Sequence, residues 1–305
     1  MNIFVTGATG YVGSAVVAEL ISAGHEVTGL ARSDAAAASL MAAGARVHRG
    51  SLGDLDSLRA GAAASDGVIH TAFTNISATT DFAASCAADR AAIAALGAAL
   101  AAGDAPDRPL VVTSGTGVLG SGETATEDAT YDPANPVAAL RGPSEDVALA
   151  FASRGVRASV LRLPPSVHSP GDKRGFIPDL IAIARSKGVA AYVGDGSNRW
   201  AAVHRSDAAR LYRLAAEGAP AGSRLHAVGE GGVPFREIAE VIGRHLDLPV
   251  KGLTADEAQE HFGWLAAFAA LDVPASSSAT RHLLSWQPAG AGLLADLEAG
   301  HYFAS

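Results

Sequence analysis

Thr6-Gly7-Ala8-Thr9-Gly10-Tyr11-Val12-Gly13 follows a short apolar, β-rich run (NIFVT, 2–6) and precedes a helical pattern. Between a strand and a helix, glycines at this spacing have a chemical use. Gly7 permits the tight turn, Gly10 lets a pyrophosphate approach the backbone at the helix N-terminus, and Gly13 lets the helix pack closely on the strand. Unpaired N–H groups and the helix dipole favour an anion there. An ordinary strand-to-helix loop is the alternative, but it has no need of all three glycines. The spacing therefore predicts a dinucleotide site contacted by Gly7, Thr9, Gly10, Tyr11, Val12 and Gly13. The dinucleotide is chosen at the end of the second strand, where an acid suits the ribose hydroxyls of NAD and an arginine suits the 2′-phosphate of NADP. Leu30-Ala31-Arg32-Ser33 has no carboxylate before Asp34. Arg32 and Ser33 are thus expected to clamp NADP, with a solvated Arg32 at a helix start as the alternative.

These residues need a scaffold, and the rest of the chain reads as one. The first helical pattern runs through Leu20 to a stop at Gly24, followed by a strand at 26–30, an alanine-rich helix at 34–43 and a strand at 46–48. A helix opened by Asp54 and ended by Gly61 leads to GVIHTA at 67–72, a long helix at 81–102, PLVVTS at 109–114 and RASVLRLP at 157–164. Strands that are apolar throughout, alternating with helices, predict an α/β doubly wound parallel Rossmann sheet over 1–165. After Pro164 and Pro165 the rhythm breaks, and 166–305 reads as a smaller substrate lobe, partly interleaved with the sheet domain. Asp207 is expected to cap a helix at 208–217.

Composition narrows the partners. The 305 residues are 49% hydrophobic and 18% charged with a net charge of −8, which argues against disorder. No stripe of Lys and Arg offers an electrostatic footprint for nucleic acid. The one cysteine, Cys86, argues against a disulfide or a cysteine-rich metal site. With no signal-peptide pattern and no uninterrupted apolar run of about 20 residues, a soluble cytoplasmic chain without a membrane partner is expected. Its partner would be a small molecule, with a homodimer possible.

TGATGYVG at 6–13, HTAF at 70–73, VVTSGTGVLG at 111–120 and VLRLPPSVH at 160–168, in that order, resemble the extended and atypical short-chain dehydrogenase/reductase superfamily. The segment 194–217 and LLSWQP at 283–288 are similar to its substrate-lobe segments. The resemblance implies a Rossmann fold, a nicotinamide cofactor, and hydride transfer or epimerase/dehydratase chemistry. It also implies Ser51 and Leu52 near the adenine, and Thr71, Ala72 and Pro164 along the cofactor. One departure matters for mechanism. Typical members use Ser, Tyr and Lys, the last two as Y-x-x-x-K, and here Gly115, Val137 and Arg141 take those places. No Y-x-x-x-K occurs anywhere in the chain.

Reducing a ketone needs a hydride and a proton donor poised near working pH. His168, in the loop after the sixth strand, would titrate in that range. Ser114 and Thr116 flank the vacated serine position and could orient a substrate oxygen, and Tyr131 could swing over the cofactor from the polar loop at 126–136. Arg141 can hold a ribose but is a poor proton donor. Each also has a plain structural reading, as a packed histidine, turn-bonded hydroxyls, a surface tyrosine and a solvated helix-start charge. An electron-poor substrate, such as a protonated imine or a conjugated alkene, would need no strong acid. Phe176, Asn198, Trp200 and Trp264 are expected to bind substrate, although aromatics at such spacings also serve as core. Three functions remain open: an NADP-dependent oxidoreductase acting on a carbonyl, imine or activated alkene; a cofactor-retaining epimerase, isomerase or dehydratase; and a catalytically silent NADP sensor.

Overall fold

The computed structural model describes residues 1–74, 79, 81–103 and 105–304. Strands and helices alternate through the first half: β1 (Asn2–Thr6), α1 (Tyr11–Ser22), β2 (Glu26–Ala31), α2 (Asp34–Ala42), β3 (Arg46–Arg49), α3 (Leu55–Ala63), β4 (Gly67–His70), α4 (Phe82–Ala101) and β5 (Arg108–Gly115). The next elements are α5 (Pro136–Arg141), α6 (Pro143–Leu149), β6 (Val156–Leu163), β7 (Ser166–His168), α7 (Phe176–Lys187), β8 (Ala190–Val193), β9 (Arg199–His204), α8 (Arg205–Gly218) and β10 (Ser223–His226). The chain ends with β11 (Glu230–Pro234), α9 (Phe235–Leu246), β12 (Val250–Leu253), α10 (Ala255–Phe262), α11 (Ala266–Ala269), α12 (Ser278–Leu284) and α13 (Leu293–Glu298).

Seven strands form one parallel sheet in the order β10-β6-β5-β4-β1-β2-β3. The order reverses between β1 and β4, which opens a crevice at the carboxyl ends of those strands. Both faces are covered, and the side chains of β1 show why its sequence is apolar throughout. Ile3 and Val5 join the core under α1 and α8, while Phe4 joins the opposite core with residues of α3, α4 and α6. Gly61, expected to end α3, lies inside it instead. A Cβ there would stand 2.5 Å from the Phe4 ring, so this glycine is where the helix meets the sheet. By length and hydropathy α4 could cross a membrane, but here it packs on the sheet with Asp89 buried in its middle.

Residues after 165 divide between two cores. Strand β10 extends the large sheet, and α8 and Trp286 pack into the core under α1. A second core is built from α7, β8, β9, α9, α10 and α13 around Trp200 and Phe235, with small sheets β11-β9-β7 and β12-β8. Asp207 is not the cap of α8, because the helix begins earlier and His204 caps it through Ser206 N–H. The Asp207 carboxylate instead accepts from Ala289 and Gly290 N–H at 3.0 and 2.7 Å, fastening the C-terminal loop to α8.

Candidate functional site

The parallel sheet brings the ends of β1, β4, β5 and β6 to one edge, and the site is built there. Gly7 has φ +67° and its carbonyl accepts from Gly10 N–H at 2.8 Å. A Cβ on Gly13 would stand 2.1 Å from the Gly7 carbonyl oxygen, and one on Gly7 would stand 2.7 Å from Ala72 N. The turn therefore admits no side chain at either position. Gly10 precedes α1 and no side chain caps that helix, which leaves its amino end able to receive an anion. Thr71 closes the other side by donating to the Thr6 carbonyl at 2.8 Å.

At the end of β2, Arg32 is exposed and makes no hydrogen bond or ion pair among the described residues. The Ser33 hydroxyl caps α2, accepting from Ala36 N–H at 3.2 Å. Asp34 pairs with Arg49 at 2.6 Å on the exposed surface. Ser51 and Leu52 lie in the loop after β3, with Ser51 exposed and Leu52 half-buried.

Beside the crevice, at the ends of β5 and β6, lies a cavity of about 280 Å³. Its walls are largely apolar: Phe73, Phe82, Val118, Val137, Leu163, Pro164, Pro165, Phe176, Trp200, Phe268 and Leu271. The Phe176 ring sits 5.6 Å from Trp200 and 5.0 Å from Phe268. Gly115, Gly117 and three polar side chains, Thr113, Ser114 and Arg141, complete the lining. The Thr113 hydroxyl is committed, donating to the His70 carbonyl at 2.7 Å with the Tyr212 hydroxyl also at 2.7 Å. The Ser114 Oγ is buried without a partner among the described residues.

Arg141 is the last residue of α5 and is held on three sides. Its Nη1 donates to Asp89 Oδ2 at 2.5 Å, its Nη2 donates to the Thr113 carbonyl at 2.6 Å, and its face lies 4.6 Å from the Phe73 ring centre. Asp89 is fully buried and also accepts from Ser144 Oγ at 2.7 Å and pairs with His70 Nε2 at 3.1 Å. His70 Nδ1 meets Thr6 Oγ1 at 2.7 Å. A continuous polar chain thus runs from the residue before Gly7, through β4 and α4, to the cavity wall. Burial alone would raise the Asp89 carboxyl, but the His70 hydrogen bond and the Arg141 charge outweigh it and hold it below the usual carboxylate range. Sequence reading missed Asp89 and His70 as a pair. The available signal was a single acid placed within a largely apolar, alanine-rich helix.

Several expected site residues stand elsewhere. His168 does not border the cavity. It is fully buried in β7, its Nδ1 pairs with Asp296 at 2.9 Å, and burial pushes its imidazole below the ordinary range. Tyr131 does not reach over the site either. Its ring packs against Gly142, and its hydroxyl donates to Asp146 at 2.8 Å, which raises the phenol. Thr116 is buried behind the lining with its hydroxyl unpartnered. Asn198 is a structural tie, donating to the Ala269 and Leu271 carbonyls at 2.9 Å each. Trp264 is 43% exposed and lies outside the lining. Tyr11 points toward the other lobe, where its hydroxyl meets Ser169 Oγ at 2.8 Å and Arg205 lies over its ring. Phe176, Trp200, Ser114, Arg141 and Pro164 do converge on the cavity.

Residues 3–227 match the NAD dependent epimerase/dehydratase family. The chain belongs to this family. It is similar to an uncharacterized protein of Schizosaccharomyces pombe, 48% identical over 306 residues, which span 99% of this chain and 100% of the relative. It is also similar to a 4-hydroxy-2-methyl-3-oxo-4-farnesyl-3,4-dihydroquinoline-1-oxide ketoreductase of Stigmatella aurantiaca, 30% identical over 228 residues, which span 73% of this chain and 66% of the relative. In fold it is similar to DesIV, a dTDP-glucose 4,6-dehydratase from Streptomyces venezuelae solved with NAD and TYD, with TM-score 0.79, 20% identity and coverage of 99% and 97% of the two chains. The family's nicotinamide dinucleotide fits the residues present. The glycine turn is open to a backbone-held pyrophosphate, and the amino end of α1 is uncapped.

Proposed function

We propose that the chain is an NADP-dependent oxidoreductase that transfers hydride between the nicotinamide and a small or medium-sized carbonyl, imine or activated alkene. The observation that carries this reading is the apolar cavity beside the carboxyl ends of β4, β5 and β6, with Ser114 and Arg141 as its polar points. When bound, the reduced nicotinamide supplies hydride. Gly7, Gly10 and Gly13 would hold its pyrophosphate, and Arg32 would meet the 2′-phosphate. Asp34 beside it is paired with Arg49 rather than with Arg32, which leaves Arg32 free among the described residues for the phosphate. Ser114 and Arg141 orient a substrate oxygen, and the aromatic walls exclude water from it. The ketoreductase name of the Stigmatella relative supports a carbonyl substrate on an apolar body.

The test is a pair of measurements. Dissociation constants for NADPH and NADH are compared in wild type and Arg32→Gln, and NADPH oxidation is then followed against ketones, imines and enones. NADPH should bind more tightly by at least about tenfold, with the preference lost in the variant, since a bidentate arginine contact is worth about 1.5–3 kcal/mol. Tighter NADH binding overturns the cofactor assignment. Cofactor that copurifies and never exchanges, or that binds without turnover of any substrate, overturns the oxidoreductase reading.

A further inference from the structure

Among the described residues, the cavity lining holds a fixed cation and no group suited to giving up a proton. Among the described lining residues only Arg141 carries an ionisable side chain, and a guanidinium stays protonated throughout the working range. The histidine and tyrosine expected to serve as acids, His168 and Tyr131, lie outside the cavity. Arg141 is rigid. Two of its N–H groups are committed to Asp89 and the Thr113 carbonyl, and Phe73 covers one face. A guanidinium has five N–H groups, so others remain for a ligand. Asp89 stands behind it, fully buried, so the pair forms an oriented dipole with its positive end at the cavity wall. Nearby, the Ser114 hydroxyl has no partner among the described residues.

We infer that this wall is an oxyanion-stabilising surface, and that the substrates are uncharged apolar molecules bearing a conjugated, electron-poor carbonyl, such as enones and quinones. The inference rests on the oxidoreductase reading and deepens it. Hydride addition to the β-carbon of an enone forms one C–H bond and moves the C=C electron pair through the conjugated system to the carbonyl oxygen. The resulting enolate is held by Arg141 N–H and Ser114 O–H, placed before the charge develops. A proton from water then completes the two-electron reduction, balanced by oxidation of the nicotinamide. An isolated ketone would yield a far more basic alkoxide, which needs a general acid, and none stands among the described lining residues. A protonated imine would meet like charge from Arg141. A sugar nucleotide would find a single cation, Arg141, already paired with Asp89, to meet its diphosphate among the described lining residues, most of which are aromatic or aliphatic.

Two experiments test this, and the first needs no cofactor. The absorbance of 4-nitrophenol bound to the protein reports its ionisation, and its bound phenolate imitates the enolate. The bound probe should titrate at least about one unit lower in wild type than in Arg141→Met, a tenfold preference for the anion. Arg141→Lys should recover part of that difference. Equal titration in wild type and Arg141→Met overturns the inference while leaving the oxidoreductase reading intact.

The second compares NADPH oxidation with an aryl enone and with the saturated ketone of the same skeleton. The enone should be favoured by at least about 100-fold in kcat/KM, the lower end of what the general acid catalysis required by the saturated ketone commonly contributes. Ser114→Ala should lower kcat more than it raises KM. Comparable rates for the two substrates, or a pH profile with a general-acid limb near neutrality, overturn the inference.

Discussion

Replacing Asp89 with asparagine removes the charge that fixes Arg141 while keeping the size of the side chain. The Asp89 carboxylate is fully buried and the Arg141 side chain is 12% exposed, so solvent can do little for the cation left behind. Asparagine offers a single acceptor oxygen, whereas three side chains converge on the carboxylate: His70, Arg141 and Ser144. Breaking one side of a buried pair costs about 3–5 kcal/mol. For a chain of this size that lowers the melting temperature by about 5–8 °C. Scanning calorimetry of wild type, Asp89→Asn, Arg141→Met and the double variant gives the coupling directly. The double variant should lose about 1–3 kcal/mol less than the sum of the singles, because it strands no charge.

The pH dependence has a defined sign. A carboxyl whose folded pKa lies below its unfolded value adds stability above the unfolded value of about 3.9 and loses it as pH falls through the folded value. The penalty in Asp89→Asn should therefore be constant between about pH 5 and 8 and shrink below about pH 4. An Asp89→Asn protein that melts within about 1 °C of wild type, or singles that simply add, would refute the buried-pair argument.

Other expected outcomes follow from particular contacts. Gly13→Ala should abolish measurable NADPH binding, because its Cβ would stand 2.1 Å from the Gly7 carbonyl oxygen; far-UV circular dichroism shows whether the fold survives, and a folded variant that binds normally would contradict the packing. Burial holds His168 below the ordinary imidazole range against the pull of Asp296. The unfolded chain then takes up a proton near pH 6.5 that the folded chain refuses, so stability falls as pH drops below about 6.5. His168→Gln should flatten that fall between about pH 7 and 5, and an unchanged slope would remove His168 as its source. Val137 lines the cavity, and a Cβ at Gly115 would meet nothing closer than 3.6 Å. Combining Gly115→Ser with Val137→Tyr should therefore create saturated-ketone reduction with a new acid limb in its pH profile; unchanged pH behaviour would show that the added phenol does not reach the substrate.

What could be read from the chain alone was local. The glycine turn depends on residues within eight positions and on the strand and helix that flank them, so spacing revealed it. The alternation of apolar strands with helices likewise displayed the parallel sheet, because a strand covered on both faces has no polar side to break its pattern. The absence of Y-x-x-x-K was equally plain. Tertiary structure decided the rest, because the deciding partners are distant in sequence. Asp89 and Arg141 are 52 residues apart, and His168 and Asp296 are 128 apart. A histidine after a strand reads the same whether it faces a substrate or a buried aspartate. Folding placed an acid behind Arg141 and withdrew His168 from the cavity. The sequence thus carried the case for a dinucleotide site, while the fold determined which charge stands at the cavity wall and that no proton donor accompanies it among the described residues.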